Sequence, residues 1–176
     1  MEEYTLLHQT NIIVHVISGS LALILGVFAM ATRKGGKMHK KSGRIFLFLT
    51  AFVIVSGLCG VFVFKANAFL LVITVISGYP AFSGYRVLQT KSNTPKIIDI
   101  CAALISGCSA LYFLYYIKSI GMIWAPAIIY STVGFLFVYI AYDFLRYLIP
   151  EKRYKNVWLY EHIYKMVAAF TALLAA

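Results

Sequence analysis

The chain has 176 residues, 61% of them hydrophobic and 12% charged, and its 16 Lys+Arg against 6 Asp+Glu give a formal net charge of +10. Soluble domains carry about 25% charged residues, so this composition excludes an ordinary water-soluble domain, a disordered chain and a disulfide scaffold. Lipid is the solvent for most of the chain, which reads as an all-α integral membrane bundle of six helices forming one domain over residues 1–176.

A spanning helix needs about 20 apolar residues. Glu2 and Glu3 stand where a signal peptide would carry positive charge, so the first span, Asn11–Ala31, reads as a helix that stays in the membrane. It carries His15 and a stripe of small residues, Ser18, Ala22 and Gly26, along which another backbone can approach,. A basic loop follows, with Arg33, Lys34, Lys37, Lys40, Lys41 and Arg44 around Gly35-Gly36 and His39. The glycine pair suits a tight turn, and Lys-Gly-Gly-Lys also suits a lipid phosphate.

The second span is Arg44–Phe64, with Ser56 and Gly60 on its small face. The third, Ala68–Leu88, holds Pro80 between Gly78 and Gly84, which predicts a kink,. The fourth, Ile97–Ile117, opens with Asp99 in its first turn, where a carboxylate suits the helix dipole,. The fifth, Met122–Arg146, has Pro126 near its start and ends on Asp143 and Arg146, spaced as an interfacial ion pair with a snorkelling arginine,. The sixth, Val157–Ala176, carries Glu161 and Lys165 in the favourable i,i+4 order, with His162 between them,. Small-residue stripes place helices 1, 2, 4 and 6 in the interior. Stretches such as Phe69-Leu70-Leu71-Val72-Ile73 are apolar on every face, so helices fit and the alternating strands of a barrel do not,. Cys59, Cys101 and Cys108 lie within apolar helices and read as small packing residues.

Thirteen of the sixteen basic residues fall in the loops after helices 1, 3 and 5. That is the positive-inside pattern. It puts both termini outside and assigns the charge to anionic lipid headgroups. Nucleic acid is not an expected partner; the lipid bilayer is, with another membrane protein or a second copy as further candidates.

Ionisable groups at membrane depth default to functional hypotheses. His39, Asp99, Asp143, Arg146, Glu161, His162 and Lys165 lie at the inner end and come from four elements, so they could converge into one inner-leaflet pocket; His15 is a second, outer locus. His39 and His162 suit a single haem b. His39, His162, Glu161 and Asp143 suit a metal ion, since imidazole and carboxylate bind zinc or iron. A His/Asp/Tyr path, drawing on Tyr79, Tyr85, Tyr130, Tyr139 and Tyr142, suits proton or solute movement. No motif of a soluble enzyme occurs.

The first helix reads H-x-x-x-G-x-x-A-L-x-x-G from His15. The loop reads Lys34-Gly35-Gly36, then His39, then Gly43-Arg44. The last helix reads H-x-x-x-M from His162, with Thr171-Ala172. These residues resemble a family of bacterial multi-pass membrane proteins of unknown function, over the first 46 residues and over 158–172, with the spacing before His39 differing by one residue. The resemblance implies that His15, His39 and His162, with Gly19, Gly26, Gly43 and Arg44, are the positions of interest. It also implies a further hydrophobic segment in many members, whose absence would leave a face for a partner chain. It implies no reaction. The leading expectation is a redox-linked or cofactor-binding membrane subunit with an inner-leaflet site at His39 and His162, and with His15 apart. The alternatives are a transporter or permease-like protein using the same residues, and a non-catalytic assembly subunit.

Overall fold

The structure, a computed structural model, describes residues 2–121 and 124–176, with side chains from Thr5 onward. The described residues are helical and contain no strand. In order they form α1 (Glu2–Ala31), α2 (Lys37–Phe62), α3 (Ala68–Thr90), α4 (Ile97–Ser119), α5 (Pro126–Leu145), a 3-10 turn (Arg146–Leu148), α6 (Glu151–Tyr154) and α7 (Trp158–Ala175). Among the described residues five helices, α1 to α5, are long and apolar enough to cross a membrane. This architecture is compatible with a polytopic membrane protein. The sixth predicted span corresponds to α7, whose first half carries Glu161, His162 and Lys165 and which is not among those five.

The helices outrun the apolar stretches. α1 includes the predicted N-terminal tail, and α2 starts at Lys37 rather than Arg44, so His39 sits in a first helical turn and not in a loop. Backbone hydrogen bonding continues past the point where hydropathy ends, because a polar turn at the interface costs little. α5 starts on Pro126 at its first position, where a missing N–H is harmless,. The predicted start at Met122 lies outside the described residues, as do the side chains of Glu2 and Glu3.

The chain divides into two compact units, Met1–Gly78 with Phe170–Ala176, and Tyr79–Ala169. In the first, α1 lies along α2. Its expected small stripe is the packed face: Ser18 and Ala22 are buried, and a Cβ on Gly26 would sit 2.6 Å from Phe170 Cδ2 and 3.3 Å from Phe46 Cδ2. The link to α2 turns through Gly35, whose φ of 77° is open to glycine at little strain,. In the second unit, Val87, Ala103, Phe113, Leu136 and Tyr139 form a core. Here α3 meets α7 at Gly84, where a Cβ would lie 2.9 Å from Lys165 Cβ and 3.1 Å from Met166 Sδ.

One expectation about the interior is corrected. α3 is the most enclosed helix, with 61% of its spanning stretch buried, against 17% in α1 and 22% in α4. The cause is the small-residue run around Pro80, where Ser77, Ala81 and Ser83 are all buried. Large apolar side chains such as Ile105, Leu111 and Val138 face outward, as on a surface solvated by hydrocarbon.

Candidate functional site

The second unit holds a buried network of four charges. Glu161 and Lys165 pair at 2.8 Å, as their spacing predicts, and Asp143 and Arg146 approach to 3.5 Å. These are not two separate pairs. Lys165 Nζ also binds Asp143 Oδ1, and Arg146 Nη1 lies 3.1 Å from Glu161 Oε1. The Lys165 side chain is 0% exposed and Arg146 only 7%. The expected snorkelling of Arg146 is therefore corrected: the guanidinium turns inward, because two carboxylates and the Tyr154 hydroxyl lie there. The rings of Tyr147 and Tyr154, centred 4.8 and 5.7 Å from its Cζ, flank it.

Two tyrosines complete the network. Tyr79, on α3, donates to Asp143 Oδ2 at 2.7 Å. Tyr154, on α6, accepts from Arg146 Nη1 at 2.7 Å and donates to Glu161 Oε2 at 2.7 Å. Burial, reinforced by that bond to Glu161, pushes the Tyr154 hydroxyl well above the usual phenol range,. The turn that presents Arg146 is held by Asn93, whose side-chain amide donates to the carbonyls of Arg146 and of Ile149 (2.9 Å), while its backbone N–H donates to Glu151 Oε2 (3.0 Å).

Asp99 stands in the first turn of α4, as expected, and is also paired across to α3. Arg86 Nε donates to its Oδ1 at 2.7 Å and Arg86 Nη2 to its Oδ2 at 3.3 Å, a two-pronged pair joining α3 to α4. Beside it runs a small crevice lined by Tyr79, Ser83, Arg86, Asp99, Asp143 and Arg146 among others. Its free space of about 10 Å³ is about one water's worth,.

The histidines are bound locally. His162 Nδ1 lies 2.9 Å from the carbonyl of Gly84, and His39 Nδ1 lies 2.9 Å from the carbonyl of Ala29. A carbonyl only accepts, so in both rings Nδ1 carries the proton. His39 thus helps satisfy the end of α1, together with Lys34, which donates to Met30 O. His15 Nδ1 lies 2.8 Å from Ser56 Oγ, and Asn11 donates to Ser56 O at 3.0 Å. His8 stacks on Phe64 at 4.7 Å. The structure thus brings Asp143, Glu161, Arg146 and Lys165 together, while His15 and His39 belong to the first unit and His162 to the second. No group of three or more His, Cys, Asp or Glu that could hold a metal ion occurs among the described residues.

Tyr154 and Asn93 carried no sequence signal beyond being polar residues in short connections. Tyr79 stood out only as one tyrosine among several.

With both acids ionised the four charges cancel. Arg146 keeps its charge at any pH a cell meets. Compared with known proteins, the chain matches no family, no curated protein and no solved structure.

Proposed function

We propose that this is a small transporter-type protein of the bacterial cytoplasmic membrane that moves protons through its buried charge network, with Asp143 as the group that takes and releases them. The observation that carries the reading is the position of Asp143: buried, and shared by Lys165, Arg146 and Tyr79. A bundle held only for its shape has no need of this. Replacing a buried ion network with well-packed apolar residues is often neutral or stabilising, and in lipid ionisable side chains concentrate on ion and proton pathways. Hydroxyls on both sides of the network, Tyr79 and Tyr154, extend the hydrogen-bonded chain. This reading takes up the transporter alternative in preference to the redox one.

In the same proposal α7 is a sixth span. Mutual neutralisation of Glu161 and Lys165 supports it, because a paired charge is far cheaper at membrane depth than a lone one. The basic loops then lie inside and both termini outside. The resemblance to bacterial multi-pass membrane proteins of unknown function is consistent with this and adds no activity.

One observation favours the redox reading as a second. His39 and His162 each donate Nδ1–H to a backbone carbonyl, which is how a protein commonly orients a histidine that binds metal or haem iron through its other nitrogen. Proton flux in proteoliposomes tests the first reading, and a visible spectrum tests the second.

A further inference from the structure

The crevice beside Asp143 runs from the deep network to a partly exposed ion pair. The side chains of Arg86 and Asp99 are 17% and 14% exposed, whereas Asp143 is 8% and Lys165 0% exposed. All of these residues belong to the unit Tyr79–Ala169. Arg86 lies near the end of α3 and Asp99 near the start of α4, so the mouth faces the connection that carries Lys91 and Lys96. The free space suits a water molecule and little else,. A water there would find donors and acceptors from Ser83, Asp99, Asp143 and the arginines, more than the two to four partners it needs.

We propose that this crevice is a water site and the proton access route to Asp143 from the side of the basic loops, with the Arg86–Asp99 pair as its gate. The proposal rests on the proton reading for its purpose, while the access it describes is measurable without any transport. The step it supports is a plain proton transfer. An O–H bond of a hydronium in the crevice breaks, an O–H bond forms on the Asp143 carboxylate, and water remains. No electrons change hands. Lys165 from α7, Arg146 from the turn and Tyr79 from α3 face that carboxylate, and its protonation releases Lys165 from one of its two partners. Parting Arg86 from Asp99 widens the mouth; their two-pronged contact narrows it.

The test is silver-ion access to a cysteine in the crevice. Silver is close to water in size and binds thiolates. Cys59, Cys101 and Cys108 are replaced by serine in the full chain, and Ser83→Cys is introduced, with Ala103→Cys, also on the lining, as the second variant should the first misfold. Inside-out and right-side-out vesicles are exposed to silver, and protection against later maleimide labelling of the denatured protein is read. Ser92→Cys in the loop is the positive control, and Ala110→Cys, fully buried, the negative one. The expected result is protection only when the basic loops face the reagent, at a rate that Asp99→Asn raises on the order of tenfold, as loss of a charge-assisted contact would. Protection from the opposite face, from neither face, or at a rate unchanged by Asp99→Asn overturns the proposal. Access without proton flux would leave the crevice standing and remove the carrier; flux without access would keep the carrier and place its inlet elsewhere.

Discussion

Lys165 and Asp143, separated by 22 positions in the chain, form an ion pair whose ammonium is fully buried. This contact joins α7 to α5 and turns two local pairs into one network. Removing one partner strands the other charge in an apolar surround, whereas removing both does not.

Asp143→Leu alone should therefore destabilise the detergent-solubilised protein by about 3–5 kcal/mol. The double variant Asp143→Leu/Lys165→Met should recover most of that loss, since Arg146 and Glu161 still pair at 3.1 Å. Thermal unfolding of Asp143→Leu, of Lys165→Met and of the double variant measures the coupling. Additive losses would mean that the pair does not exist.

The approach of α3 to α7 leaves no room for a side chain at Gly84. Gly84→Ala should cost about 1–3 kcal/mol through overpacking against Lys165 and Met166. Gly134, on α5, has nothing within 4 Å of its would-be Cβ, so Gly134→Ala should be neutral or stabilising by roughly 0.5–1 kcal/mol. Paired melting curves decide the matter, and equal shifts in the two variants would contradict the packing described.

Tyr154 makes stability depend on alkaline pH. The fold holds its hydroxyl protonated above the ordinary phenol value. Its contribution is thus complete below the unfolded value, about pH 10, and is lost as pH rises past it, because only the unfolded chain gives up the proton there. Tyr154→Phe should melt lower at neutral pH, having left Arg146 and Glu161 short of a partner, and should lose stability less steeply between about pH 9 and 11. An unchanged alkaline slope would mean that Tyr154 is open to solvent.

The proton account expects the purified protein to be colourless, before and after dithionite. A Soret band that shifts on reduction and disappears in His162→Ala would move the account to the redox reading. Metal in stoichiometric amount without that band would point to a histidine-centred metal site.

Much of the architecture was legible in the sequence, because spanning helices announce themselves by length and apolarity. Their ends were not: Lys37 and the residues before Asn11 continue helices with no hydropathy signal. The two charged pairs were legible as pairs, since i,i+3 and i,i+4 spacing is a property of one helix. That Lys165 reaches Asp143, and that Arg146 points inward, depends on how α7 packs on Gly84, a contact that no local pattern encodes. Asp99 shows the same limit, because its partner Arg86 lies across a turn on another helix. Histidine drew attention by its chemistry, yet the buried charge collects around tyrosine and the carboxylates.

The central claim is that protons pass by way of Asp143. Its most direct test is proton uptake into liposomes holding the purified full-length chain, with a potassium gradient and valinomycin setting the potential and a trapped pH dye as the readout. The account predicts uptake well above protein-free liposomes, abolished in Asp143→Asn while that variant still elutes as a folded species. Uptake no greater than in empty liposomes, or undiminished in Asp143→Asn, would contradict it.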